Sequence, residues 1–169
     1  LTRTIDLKGK YQGVYIEGAL FESNSAATSG GALGMHKGRA NSFFDVRAST
    51  FVGNTAGFHG GGVCFTESTF DLSGCDFENN SAVKYGGGIA LRDGSGVLND
   101  CEFSTNQSAY GGAFGQYRLS DGIPPSDSSF IDCRFIENQT VGNDARFRDG
   151  LSRKRPVVAT QVRMQPPRL

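Results

Sequence analysis

Apolar side chains recur at every second position in short runs through the first 141 residues, and the runs themselves recur. Five times a phenylalanine is followed three residues later by an asparagine: Phe21/Asn24, Phe51/Asn54, Phe77/Asn80, Phe103/Asn106 and Phe135/Asn138. The steps are 30, 26, 26 and 32 residues, a period that signals a solenoid built from one stacked unit per repeat. With the repeats in register, two positions before each Phe stand Ala19, Ser49, Cys75, Cys101 and Cys133, and five before it Ile16, Val46, Leu72, Leu98 and Phe130. Seven before it stand Val14, Phe44, Phe70, Gly96 and Ser128. Alternation at period two puts these on one face, while the residues between them, such as Glu17, Asp45, Asp71, Asp76 and Glu102, are polar.

Each of the first four repeats then reaches a run of glycines followed by an apolar residue: GGAL at 30–33, GGGV at 60–63, GGGI at 86–89 and GGAF at 111–114. The pairs Leu33/Met35, Val63/Phe65 and Ile89/Leu91 continue the inward face. Three short strands per period, separated by turns, predict an all-β chain: a parallel β-helix of about five coils over residues 1–141, with adjacent coils ~4.8 Å apart. Every inward position becomes a column along the axis. Phenylalanine forms its spine, and asparagine sits in a buried turn where each amide bonds the next. Glycine supplies positive φ and close backbone approach at the opposite corner.

The paired motifs F-x-x-N and G-G-A-[I/L/V] resemble the repeats of the chlamydial polymorphic outer-membrane proteins and related surface β-helix proteins, over residues 13–138. The resemblance implies a right-handed β-helix of the pectate-lyase-like (pectin lyase-like) kind, the hand that crossovers generally favour. It also implies an extracellular or cell-surface passenger domain that acts as an adhesin.

Composition adds constraints. Glycine, 24 of 169 residues, is about twice its usual ~7 % share but lacks the collagen period. No apolar run approaches the roughly 18 residues of a transmembrane helix. The chain opens at Leu1 with no charged-then-apolar leader, which reads as part of a longer solenoid or a mature product. The formal charge of zero divides unevenly: residues 1–141 hold 10 Lys+Arg against 15 Asp+Glu, and residues 142–169 hold 7 against 2. All five prolines lie at 124–125 or in the tail, leaving the first three repeats free for unbroken ladders. The tail, with SRKRP at 152–156, reads as a disordered basic extension, and no nucleic acid is expected because no aromatic pattern accompanies the charge.

The candidates for chemistry are few. Cys75, Cys101 and Cys133 share one inward column, as buried thiols filling small apolar sites or as neighbours near enough for a disulfide; Cys64 faces away from it. No C-x-x-C or Cys/His spacing suggests zinc, and no cofactor is expected. Asp76, Glu78 and Glu102 are the only binding or catalytic candidates worth naming. One coil apart, such carboxylates approach the ~5 Å separation of a retaining glycosidase pair or could hold Ca²⁺, but Arg134 comes next in the column and is expected to pair with Glu102. His36 and His59 fall beside glycine corners and read as structural or solvent-facing. Of three N-x-[S/T] sequons, Asn106 and Asn138 are ladder residues expected to be buried, and Asn79 is the one open to a glycan in a eukaryotic secretory pathway.

The reading is a non-enzymatic surface domain for adhesion or matrix contact, its partner a host or matrix protein or a surface glycan, with the loop at 116–129 as the place to look. The competing readings are a β-helix polysaccharide lyase or glycoside hydrolase, and a purely structural stalk.

Overall fold

A computed structural model describes residues 5–8, 13–36, 43–117 and 128–141. The predicted basic tail, and residues 118–127 of the predicted loop, lie outside the described residues. The described residues are all-β, and every strand pairing among them is parallel. Four five-stranded sheets run the length of the solenoid. The first stacks Gly13–Glu17, Phe43–Arg47, Thr69–Ser73, Ser95–Asn99 and Ser128–Ile131; the second stacks Leu20–Glu22, Thr50–Val52, Asp76–Glu78, Glu102–Ser104 and Arg134–Ile136. The third stacks Ser25–Ala26, Thr55–Ala56, Ser81–Tyr85, Gln107–Tyr110 and Gln139–Thr140, and the fourth Ile5–Lys8, Leu33–His36, Val63–Thr66, Ile89–Arg92 and Phe114–Tyr117.

Each turn therefore has four strands where the sequence pattern suggested three, and the five motifs make about four complete turns. The additional strand follows the ladder asparagine. At two residues in the first two turns it is too short to display an alternation.

The inward columns are as expected. Phe21, Phe51, Phe77, Phe103 and Phe135 stack face to face, with centroids 4.7, 4.7, 4.8 and 5.0 Å apart and planes within 6°. This spacing is that of hydrogen-bonded strands, so ring stacking and backbone pairing are satisfied at one repeat distance. Gly96 breaks the bulky column of the first sheet because a Cβ there would run into the ring of Phe70.

The asparagine column carries more bonds than one amide per rung. Asn54 Nδ2 donates to Asn80 Oδ1 at 2.9 Å and to Phe21 O at 3.0 Å, while its backbone N–H also donates to Asn80 Oδ1 at 3.0 Å. Asn80 and Asn106 repeat the arrangement toward Asn106 and Asn138. Each interior amide oxygen thus accepts two hydrogens and each amide nitrogen donates two, the full capacity of the group.

Replacing Asn80 by Ala strands the buried N–H of Asn54, removes one partner from the Asn54 and Asn106 amides, and leaves Phe51 O without the amide. At about 1–3 kcal/mol per stranded buried group, Asn80→Ala is expected to destabilise the solenoid by ~2–4 kcal/mol. Asn138→Ala, at the half-buried last rung, is expected to cost clearly less. Urea midpoints of the two variants against the parent check both the size and the order.

Candidate functional site

The carboxylates singled out from the sequence lie on the outer face of the second sheet. Asp76 is directly opposite Glu102 on the adjacent strand, and Glu78 is opposite Ser104. Residues in register on neighbouring parallel strands project the same way, so Asp76 and Glu102 stand side by side. A glycosidase pair instead flanks the bond to be cleaved. The Asp76 carboxyl is raised above its usual range, first by partial burial and then by Glu102, Asp100 and Glu78. Glu102 accepts a hydrogen bond from Arg134 Nη1 at 2.7 Å, on the strand that follows in register. This is the ion pair the column predicts. Among the described residues no cluster of three or more His, Cys, Asp or Glu side chains is arranged to hold a metal ion.

Cys75, Cys101 and Cys133 form the predicted inward column, buried and as free thiols. Each Sγ–H faces a carbonyl of the preceding turn and one of its own: Cys75 has Val46 O at 3.4 Å and Ser73 O at 3.5 Å, Cys101 has Leu72 O at 3.6 Å and Asn99 O at 3.4 Å, and Cys133 has Leu98 O at 3.4 Å and Ile131 O at 3.3 Å. Ser49, earlier in the column, donates to Arg47 O at 2.8 Å and accepts from Ala19 N at 3.1 Å. Cysteine is here a small, weakly polar turn filler. Contact with Cys133 and then Cys75, together with burial, raises the pKa of the central thiol, Cys101.

The fourth sheet holds a site that the sequence reading passed over. Its outward residues are covered: Cys64 and Ala90 are as buried as the core, and burial pushes the Cys64 thiol up to about 11. The glycine corner is responsible. Gly60, Gly86 and Gly111 have φ between 61° and 68°, and the glycines that follow return flat against the next turn, where a Cβ on Gly61 would collide with Gly87 O and Ser81 O. The chain thereby doubles back, and the residue before each positive-φ glycine overhangs the outer face of the fourth sheet. These residues form a column of Ser29, His59, Tyr85 and Tyr110.

Tyr117, from the fourth sheet, packs on this column, and the rings form an aromatic cluster along the axis, here called the groove for the track that the column offers the Tyr117 ring. His59 lies 5.3 Å from Tyr85 and 4.6 Å from Tyr117; Tyr85 lies 5.2 Å from Tyr110 and 4.6 Å from Tyr117. Lys84 Nζ sits 4.8 Å over the Phe58 ring, and Arg92 Nη2 is 3.9 Å from Glu67. His59 is lowered to about 4, by burial first and then by Lys84 and Arg92, so it is neutral at physiological pH. Burial likewise raises the Tyr117 phenol. The side chain of His36 lies outside the described residues. Of the sequons, Asn106 is buried as expected, Asn138 is only half-buried because no further turn covers it among the described residues, and Asn79 is exposed. The signal for the groove was present in the sequence: once the glycines are aligned, the position before each pair reads Ser, His, Tyr, Tyr.

Residues 74–92 match the model of the Chlamydia polymorphic membrane protein (Chlamydia_PMP) repeat. The matched segment runs from the turn before Phe77 through Asn80 and the Gly86 corner to the end of the fourth-sheet strand Ile89–Arg92. No curated protein and no solved structure matches the chain.

His59 provides a pH test of the groove's packing. Its folded pKa lies below the ordinary 6.5, so on acidification the unfolded chain takes up the proton first. Its contribution is constant above about pH 6.5, erodes as pH falls from 6.5 toward 4, and changes no further below. Urea midpoints between pH 7.5 and 4 are expected to fall more steeply for the parent than for His59→Gln, and parallel curves would remove His59 as the source.

Proposed function

We propose that the chain is a segment of a surface-displayed β-helix that works by contact, in adhesion or matrix attachment, and not by catalysis. The observation that carries this is the match of residues 74–92 to a polymorphic membrane protein repeat, set in a unit whose inward phenylalanines and asparagines recur five times. In such a solenoid the inward columns are committed to stacking and hydrogen bonding, so recognition falls to outward side chains, held at fixed spacing on a rigid scaffold. The partner is a host or matrix protein or a surface glycan. An extracellular or cell-surface location follows from the same reading.

Asp76, Glu78 and Glu102 fit this function better than hydrolysis or lyase chemistry, because Glu102 is tied to Arg134 and the carboxylates share one face. The alternative of a stalk segment without a binding site of its own requires the same interior and differs only at the surface.

Beads coated with the full chain are expected to bind cultured epithelial cells or matrix-coated wells several-fold above beads coated with albumin, and soluble chain is expected to compete. Incubation with acidic and neutral polysaccharides, with and without Ca²⁺, is expected to yield no new reducing ends or unsaturated products. Attachment at the albumin level would leave the stalk, and cleavage lost in Asp76→Ala or Glu102→Ala would install the enzyme.

A further inference from the structure

Tyr117 does not stay over its own turn. It stands beside Arg92 in strand register, yet its ring leans back over the two preceding turns, stacked on Tyr85 with planes 13° apart and resting against His59. Three polar atoms around it are buried without a hydrogen-bond partner among the described residues: Arg92 Nε, Asp93 Oδ1 and His59 Nδ1. Arg92 is its register neighbour, the Asp93 N–H donates to Tyr117 O at 3.4 Å, and His59 touches its ring. The Asp93 side chain belongs to a residue only 8 % exposed. Native proteins leave few buried polar groups unpaired, because each such group has given up its water without a replacement. Three around one ring mark a place where the present occupant has the right shape and too few polar groups.

The unmet demand is specific. Arg92 Nε–H can only donate, the Asp93 carboxylate oxygen accepts, and His59 Nδ1 does either according to tautomer. Tyr85 offers a flat aromatic face, and Tyr110 prolongs the platform by one turn. Hydroxyl groups both donate and accept, and a pyranose ring presents neighbouring hydroxyls along its rim with a flat C–H face. A uronate would set a second carboxylate against Asp93 and Glu67. A tyrosine side chain from a protein would stack as Tyr117 does and leave the same atoms unpaired.

We propose that this groove is a glycan site in which a neutral hexopyranose ring displaces Tyr117, stacks on Tyr85 and takes its hydroxyl hydrogen bonds from Arg92, Asp93 and His59. Tyr117 then serves as the resident stand-in that covers the site when no sugar is bound. The inference supplies a ligand class for the contact function above, on which its biological meaning rests.

The test is saturation-transfer NMR on the full chain with methyl β-D-glucopyranoside, methyl β-D-galactopyranoside and methyl α-D-mannopyranoside, beside methyl β-D-glucuronide and N-acetyltyrosinamide. At least one hexoside is expected to receive saturation on its C–H face. Removing the stand-in in Tyr117→Ala is expected to tighten binding about tenfold, whereas Tyr85→Leu and Arg92→Met, both sparing of apolar volume, are expected to weaken it about tenfold or more. Circular dichroism and urea midpoints establish that each variant is folded.

No transfer to any hexoside from either the parent or Tyr117→Ala would overturn the proposal. So would weaker binding by Tyr117→Ala, or preference for the glucuronide or the tyrosine amide. Bead attachment separates this inference from the function it rests on. Attachment without hexoside binding removes the groove and keeps the contact role; hexoside binding without attachment does the reverse.

Discussion

Everything in this molecule is subordinate to one distance, the separation of hydrogen-bonded strands. Phenylalanine rings stack 4.7 to 5.0 Å apart, and the asparagine amides pass hydrogen bonds of 2.8 to 3.0 Å from turn to turn. The backbone ladders close at the same repeat. Because three kinds of interaction agree on one period, an error in any turn disturbs all three at once, and each turn must match its neighbours in path length. The steps of 26 residues satisfy this directly. The longer steps carry their additional residues in sequence between a strand of the fourth sheet and the next strand of the first, at 37–42 and 118–127, outside the described residues. A single-residue adjustment survives inside a sheet: the register shift between Ala82 and Tyr85 brings Tyr110 opposite Tyr85 although the fourth turn is one residue shorter there.

The ladder also tolerates local strain. Among the described residues nine non-glycine positions adopt positive φ, Ala48 and Thr105 among them, a conformation that costs an L-residue roughly 1–2 kcal/mol. All sit at turns between strands, and in every turn but the last the N–H reaches the carbonyl of the next turn, as from Ala48 to Ser73 at 2.9 Å and from Thr105 to Ile136 at 2.9 Å. Gly18, Gly53 and Gly74 meet the same requirement without strain. The repeat therefore fixes the conformation and lets the side chain vary, since at these turns the residue is exposed, Asp93 excepted.

That distinction explains what could be read from the sequence. Phe51, Asn54, Val46 and Val63 announce themselves because each recurs as a like residue at one phase of the period, and the Glu102–Arg134 pair followed from the same alignment. The third sheet escaped notice because Thr55–Ala56 offers two residues and no alternation. Positive φ at Thr105 is invisible because a β-branched residue argues against it, and only the neighbouring turns enforce it. The groove was missed for a different reason. His59 and Tyr85 look like surface residues beside a flexible glycine run, and their burial depends on Gly60 and Gly86 folding the corner back on the fourth sheet, which strand alternation does not report.

The groove is thus a by-product of the corner that makes stacking possible. Glycine is needed at 61 and 87 because successive turns meet there backbone to backbone, and that closeness forces the preceding residue out over the neighbouring sheet. The interior requires nothing of that residue except that its backbone bridge to the next turn, so serine, histidine and tyrosine all occur. A position constrained in place and unconstrained in chemistry, repeated at strand spacing beside a covered sheet, is where a solenoid can acquire a binding site without altering its core. In this chain the position has become aromatic in three successive turns. The Tyr117 ring folds against two of them, stacked on Tyr85 and resting on His59.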